Sequence, residues 1–127
     1  MLSRSPLAAA LAVAALAAPA LANAAGDAAH GGMIFKQRCA ACHVNEAGAE
    51  PKIAPNLFGV VKRKAASTGF AGYSDALKAS GLTWTSDNLD VFLTAPNTKV
   101  PGTRMVISVP ATQDRADLIA YLATLKR

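Results

Sequence analysis

Two cysteines and a histidine that lie close together are the residues of this chain most suited to chemistry. Cys39 and Cys42 are three positions apart, His43 follows directly, and the chain contains no other cysteine. Such a pair can form a structural disulfide, act as a redox-active Cys-x-x-Cys site, or attach a haem covalently. A disulfide here would close too small a loop to restrain the unfolded chain much, and neither of the first two chemistries requires a histidine. Haem attachment uses all three residues, because the thiols form thioethers and the imidazole binds iron.

An iron atom bound by one histidine has a second axial position, for which the sequence offers His30, Met33 and Met105. Met33 is ten residues upstream of His43. On one helix that separation is about 15 Å along the axis, on the wrong side of a ring. His30 lies in an Ala-Ala-His-Gly-Gly stretch that we expect to be solvated, so it is a minor candidate. Met105 lies 62 residues beyond His43 and follows a Pro-Gly turn, so the chain can wrap around the ring, and Met105 is favoured.

The first 24 residues resemble a secretory signal peptide. An apolar run of 12 residues, 7–18, is followed by the small residues Ala22-Asn23-Ala24. This run is short of the roughly 20 residues that a membrane span requires. The sequence therefore predicts a cleaved leader, residues 1–24, and one domain, residues 25–127, in the periplasm. Cleavage after Ala22 and a leader retained as a tether are the alternatives.

The charge of the predicted domain is mildly basic. Without the leader, 12 Lys and Arg stand against 8 Asp and Glu, a net charge of about +4. The only dense basic run is Lys62-Arg63-Lys64. Nucleic-acid binding usually needs a denser basic patch, so the charge instead fits a transient acidic partner.

The hydrophobic pattern and the capping residues predict a small helical domain. Three helices are expected at Gly31 to about Cys42, Ser74 to Gly81, and Thr85 or Ser86 to the residue before Pro96. Residues 48–72, rich in Pro and Gly, are expected to form a long loop, which is unusual unless it packs on a cofactor.

A last helix is predicted near the C-terminus. Thr112 is its expected N-cap, Asp114 lies in its first turn and Lys126-Arg127 in its final turn. Its apolar face follows helical spacing and comprises Leu118, Tyr121, Leu122 and Leu125.

Five segments in this order resemble the class I cytochromes c of the mitochondrial and bacterial cytochrome c2 type. The resemblance covers about residues 31–125. The segments are Gly31-x-x-x-Phe35-x-x-x-Cys39-x-x-Cys42-His43, Pro55-Asn56-Leu57-x-Gly59, Tyr73-Ser74-x-Ala76-Leu77-Lys78, Gly81-Leu82-Thr83-Trp84, and Val100-Pro101-Gly102-Thr103-Arg104-Met105 trailed by Arg115-Ala116-Asp117-Leu118-Ile119-Ala120-Tyr121-Leu122. This resemblance implies an all-α cytochrome c fold of four to five short helices around one covalently bound haem.

The resemblance also implies a ligand set for that haem. Cys39 and Cys42 would hold the two thioethers, and His43 and Met105 would be the axial ligands of the iron. The carbonyl of Pro55 would accept a hydrogen bond from the outer nitrogen of His43.

Further roles follow from the resemblance at other positions. Tyr73 and Trp84 would donate hydrogen bonds to a buried haem propionate, and Arg63 would lie near it. Gly31 and Phe35 would pack the first helix against the last.

Three positions depart from the commonest mitochondrial pattern. Ala54 stands where glycine is usual, Phe92 where a tyrosine usually donates to the methionine sulfur, and Leu77 where an asparagine usually holds a water molecule. These changes alter the expected polar network behind Met105.

The implied function is one-electron transfer by haem c and its iron, without enzymatic activity. The expected donor is a bc1-type complex, and the expected acceptor is a terminal oxidase or a photosynthetic reaction centre. Lys36, Lys99 and Arg104 would flank the haem edge and steer acidic docking surfaces. We expect a monomer that neither binds nucleic acid nor stays inserted in a membrane after leader removal.

Two other functions are compatible with the same motifs. One is a haem c protein with a labile sixth ligand that binds a gas or acts on peroxide. The other is the electron-accepting subunit of a single dehydrogenase.

Overall fold

The computed structural model describes residues 9–10, 12–15 and 26–127. The predicted leader, residues 1–24, lies outside these ranges except for positions 9–10 and 12–15, and it stays a prediction. The helices are α1 (Ala28–Arg38), α2 (Asp75–Ala79), α3 (Ser86–Thr94), α4 (Pro96–Lys99) and α5 (Thr112–Thr124). Within the described ranges there is no β-strand, and a single antiparallel bridge joins Lys64 to Thr83. The prediction of an all-α domain with four to five short helices is confirmed. In the described residues, no helix has the length and apolar character needed to cross a bilayer.

Helix α1 begins earlier and ends earlier than predicted. The carboxylate of Asp27 accepts hydrogen bonds from the N–H groups of Ala29 and His30, so the helix begins at Ala28 rather than Gly31. It ends at Arg38, and Cys39 is its C-cap. The following turn keeps helical spacing, because the His43 N–H donates to the Cys39 carbonyl at 2.9 Å.

The predicted ends of α2 and α3 are confirmed. Ser74 Oγ accepts from the Leu77 N–H at 3.1 Å, and Gly81 follows α2 with a positive φ of 66°. Thr85 rather than Ser86 caps α3, because its hydroxyl accepts from the Asn88 N–H at 3.1 Å. Helix α3 ends before Pro96 as predicted. The single turn of α4 was not predicted, and Pro96 occupies its first position, where proline is favoured.

The predicted ends of α5 are wrong. The N-cap is Ala111, which makes no side-chain cap. Thr112 is already helical, and its hydroxyl instead faces the Arg115 guanidinium at 3.4 Å. Lys126 and Arg127 lie beyond the helix, because the chain leaves it at Leu125 and the Leu125 carbonyl accepts from the Gly59 N–H at 2.6 Å.

Helices α1 and α5 cross at close range, as predicted from Gly31 and Phe35. A Cβ atom at Gly31 would lie 1.9 Å from the Asp117 carbonyl oxygen, so only glycine fits there. The rings of Phe35 and Tyr121 pack with centroids 5.6 Å apart. This contact is part of a buried core that comprises Ile34, Phe35, Val60, Trp84, Leu89, Phe92, Leu93, Val100, Val109, Leu118, Ile119 and Leu122.

A long segment without helix, residues 39–74, connects α1 to α2 and includes the predicted 48–72 loop. Backbone hydrogen bonds join it to the stretch before α3. The Lys62 N–H donates to the Trp84 carbonyl and the Trp84 N–H donates to the Arg63 carbonyl, both at 2.8 Å. The segment is therefore held against Trp84 and forms part of the wall of an internal cavity.

Candidate functional site

A cavity of about 360 Å³ lies between the long connecting segment, α2, α3, α5 and the loop after α4. It is lined by all seven residues that the sequence predicted for the site, which are Cys39, Cys42, His43, Arg63, Tyr73, Trp84 and Met105. Most of the remaining wall is apolar and includes Leu57, Val60, Leu77, Leu89, Phe92, Leu93, Val109, Leu118 and Leu122. Tertiary structure therefore brings together residues that are up to 66 positions apart, from Cys39 to Met105.

His43 is held in a single orientation on the wall of this cavity. Its Nδ1 lies 2.7 Å from the Pro55 carbonyl oxygen. Because a carbonyl can only accept, Nδ1 carries the hydrogen, and in the neutral ring Nε2 keeps a free lone pair. Burial lowers the pKa of His43, with the Pro55 hydrogen bond opposing that change, which favours the neutral, metal-binding form.

Two backbone hydrogen bonds place Pro55 beside the histidine. The Ala54 N–H donates to the Cys42 carbonyl at 3.2 Å, and the Leu57 N–H donates to the Val44 carbonyl at 2.9 Å. The stretch around Pro55 thus runs alongside the stretch around His43. The structure contains the histidine-to-proline hydrogen bond that the family resemblance implies, with Ala54 in place of glycine.

Cys39 and Cys42 are half-buried free thiols at the end of α1, and no disulfide joins them. Burial raises the pKa of Cys39, and the positive charge of Arg38 only partly opposes that effect. Redox-active Cys-x-x-Cys sites instead have a depressed thiol pKa. The raised pKa of Cys39 is the opposite of that pattern and does not favour the thioredoxin-like interpretation of the motif.

Of the three predicted candidates for the second axial ligand, only Met105 lines the cavity. Met33 is 56% exposed on α1, consistent with its expected place on the N-terminal helix. His30 is exposed, as predicted, but its imidazole also has a hydrogen-bond partner. It lies in the first turn of α1, and its Nδ1 is 2.7 Å from Asp117 Oδ2. That carboxylate raises the pKa of His30.

Polar side chains among the apolar walls include Arg63, Tyr73 and Trp84. The Tyr73 hydroxyl is 2.6 Å from the Thr68 hydroxyl, and the Arg63 guanidinium donates to the carbonyls of Phe58 and Asn56. Burial lowers the pKa of Arg63, although an arginine stays charged in proteins. Together these three side chains could hold a buried anionic group.

The rim of the cavity was only partly anticipated. Arg104 lines it as expected and donates to the Gly72 carbonyl at 2.6 Å, whereas Lys36 and Lys99 do not line it. Arg38 lines the cavity and was not predicted. The position of Arg38 directly before Cys39 is the sequence signal that could have predicted its place at the cavity.

The donor set fits a covalently attached haem c. It combines two unpaired thiols, an imidazole with Nε2 available, a thioether in the same cavity and apolar walls. Histidine and methionine are the axial pair found in cytochromes c. The chemical identity of these side chains and their place around one cavity are what make the site suitable for haem c.

Comparison with known proteins agrees with this geometry. The family model "Cytochrome c" matches residues 28–126. Cytochrome c of Theileria annulata is 50% identical over 98 residues, covering 76% of this chain and 84% of that protein. Cytochrome c2 of Rhodomicrobium vannielii is 48% identical over 112 residues, covering 87% and 89%. The solved structure of cytochrome cH from Methylobacterium extorquens is 45% identical with a TM-score of 0.71, covering 78% of this chain and 99% of that one. The chain therefore belongs to the cytochrome c family of haem c electron carriers, has the all-α cytochrome c fold, and takes a covalently attached haem c with its iron as cofactor.

Proposed function

We propose that this chain is a periplasmic one-electron carrier whose iron is ligated by His43 and Met105. Cys39 and Cys42 form the thioethers, and Arg63, Tyr73 and Trp84 surround a propionate. The observation that carries this proposal is the hydrogen bond from His43 Nδ1 to the Pro55 carbonyl. It leaves Nε2 free beside the two thiols, in the cavity that Met105 also lines.

The residues of the chain control the chemistry that haem c supplies when bound, which is the gain and loss of one electron at iron. The carbonyl of Pro55 orients the His43 ring and increases its basicity as a ligand. Met105 offers a neutral thioether, and the apolar walls disfavour an additional positive charge. Both effects raise the reduction potential, as is general for His/Met ligation. His43 and Met105 would both be engaged in holding the iron, so we propose electron transfer without enzymatic activity.

The proposed location and partners are supported by separate observations. The predicted leader and the relatives named cytochrome c2 support export to the periplasm. A bc1-type donor and a terminal oxidase or photosynthetic reaction centre as acceptor remain the proposed partners of a monomeric carrier. The exposed Arg104 and Arg38 at the rim of the cavity support acidic docking surfaces on those partners.

Replacing Met105 by alanine tests the proposed ligand set. In the purified haem protein, Met105→Ala should abolish the ferric sulfur-to-iron charge-transfer band and let the ferrous form bind carbon monoxide. The reduction potential should fall by more than about 60 mV, a tenfold change in a one-electron equilibrium. Optical spectroscopy and voltammetry measure these changes.

Met33→Ala is the matched control, because Met33 is exposed and does not line the cavity. It should retain the band, the potential and the resistance to carbon monoxide. A wild-type protein that lacks the band and binds carbon monoxide readily would contradict the proposal and favour gas or peroxide chemistry.

A further inference from the structure

Arg115 is a buried charged residue that none of the roles above involves. It lies on α5 and is only 7% exposed. Its Nε donates to Asp90 Oδ1 on α3 at 2.7 Å. Its Nη1 donates to the carbonyls of Val109 and Pro110 at 3.0 and 2.8 Å. One guanidinium therefore links two helices to the chain segment that follows Met105.

That segment, residues 106–110, is named here the return segment, because it leads from Met105 back to α5. In its first half, Val106 and Ile107 line the cavity and lie outside the buried protein core, so contacts with the rest of the chain anchor them little. Other hydrogen bonds hold its second half. The Val109 N–H donates to the Leu93 carbonyl at 2.8 Å, and Arg38 Nη2 donates to the Ser108 carbonyl at 2.8 Å.

The contacts of Arg115 are close enough to Met105 to influence it. Val109, one of the carbonyl partners, is four residues after Met105, is almost fully buried and lines the same cavity. The residues between them are in neither a helix nor a strand. Because only three residues separate Val109 from Met105, a displacement of Val109 can reach Met105 along this short stretch.

We propose that Arg115, oriented by Asp90, is a positioning residue that keeps Met105 in place as the sixth ligand. The inference rests on the proposed function, because it requires that Met105 bind the iron. A planar guanidinium can serve a carboxylate and two carbonyls at fixed angles, whereas a lysine ammonium presents a single point charge. Loss of either partner leaves buried polar groups unsatisfied and frees the return segment.

Displacement of Met105 by added imidazole in the ferric haem protein measures this positioning. Imidazole binds only molecules in which Met105 has left the iron, so its apparent affinity rises with the population of that open state. We expect Arg115→Lys to raise the apparent affinity by about tenfold and Asp90→Asn by about threefold. Hydrogen exchange of the Val109 amide should accelerate in both variants, which reports on the return segment independently of the iron.

Two controls separate positioning from general destabilisation. Lys126→Met removes one positive charge at an exposed position outside the cavity lining and should leave the affinity unchanged. Ile119→Val weakens the core of α5 without touching the cavity, and it should change the affinity by less than about twofold despite a lower melting temperature.

The outcomes distinguish this inference from the proposed function. A wild-type protein without the sulfur-to-iron band overturns Met105 ligation, and the positioning role with it. Suppose that wild type has the band, but that Asp90→Asn and Arg115→Lys bind imidazole with the same affinity as wild type or as Ile119→Val. That result overturns the positioning role alone. If Arg115→Lys fails to incorporate haem, Asp90→Asn decides the question, because the Asp90 side chain is half exposed and its loss leaves Arg115 and its carbonyl bonds.

Discussion

Two apolar side chains in the cavity stand at positions where the family resemblance implies polar residues. Phe92 and Leu77 both line the cavity with Met105, where the mitochondrial pattern has tyrosine and asparagine. Phe92 is buried and packs against Trp84 with ring centroids 4.9 Å apart. The Met105 thioether is thus in a more apolar environment than the family pattern would provide.

Phe92→Tyr should raise the reduction potential of the haem protein. A phenol at this position introduces an O–H donor to the Met105 sulfur, which weakens the donation of electrons by the thioether to ferric iron. One net hydrogen bond corresponds to about 20–60 mV. Voltammetry measures the change, with Phe58→Tyr as a control because Phe58 does not line this cavity. A potential equal to or below that of wild type would contradict the prediction.

At the scale of elements, the pairing of α1 with α5 includes an ion pair as well as apolar packing. Asp117 on α5 is 3% exposed and accepts from the Asp27 N–H, the Gln113 amide and His30. The N–H donors lower the pKa of Asp117, and the hydrogen bond to Asp117 raises the pKa of His30. Asp114 and Asp27 are the other charged groups that act on His30, and both favour its protonated form.

The pKa shifts predict how the stability provided by His30 depends on pH. A pKa of His30 raised above its ordinary 6.5 means that its stabilisation is complete below about pH 6.5 and disappears as the pH rises through the folded-state value. A pKa of Asp117 lowered below 3.8 means that its stabilisation is present above that pH and disappears in stronger acid. The pair should therefore stabilise the protein most between about pH 4 and 6.5.

His30→Gln tests this dependence, because the amide of Gln can still donate to Asp117 but does not titrate. Melting temperatures of wild type and variant should differ most near pH 5 and converge near about pH 9. His43 is the only other histidine, and its ring is engaged by Pro55. An equal difference at both pH values would rule out His30 as the titrating group.

At the scale of the whole molecule, the mild positive charge is unevenly placed with respect to the cavity. The full chain has a formal net charge of +5. Arg38 and Arg104 are exposed at the rim of the cavity, and no acidic residue of the described chain lines it. An electron partner that approaches this rim therefore meets positive charge.

The rate of electron exchange should change with salt concentration, and the charge of the partner should decide whether the rate falls or rises. Oxidation of the ferrous protein by ferricyanide should slow several-fold between about 10 and 200 mM salt, because screening weakens the attraction. A cationic oxidant, tris(phenanthroline)cobalt(III), should react faster as salt increases. Arg104→Gln should reduce the ferricyanide effect and Arg127→Gln, away from the cavity, should not. Stopped-flow rates that do not change with salt would remove the steering hypothesis.

The sequence alone predicted the cofactor, and every residue that it proposed for the site lines the cavity. The spacing of Cys39, Cys42 and His43 is visible in the order of residues along the chain. The N-caps Ser74 and Thr85 are also local, because each accepts a hydrogen bond from an N–H three residues later. The roles of Pro55, Tyr73 and Trp84 came from the family pattern. The sequence-based prediction places the start of helix α1 too late, because Gly31 and Gly32 have low helix propensity. Their packing against Asp117 and Tyr121 outweighs that propensity.

Only the tertiary structure showed which distant polar groups pair. His30 and Asp117 are 87 residues apart, and Arg115 and Asp90 are 25 residues apart. Thr112 could be expected to cap α5, but the structure engages its hydroxyl with Arg115 instead. Capping residues and the haem-attachment spacing are local in the chain, so the amino-acid order determines them. Partners that lie on different helices become neighbours only after the helices pack, so the fold decides which buried charges find each other.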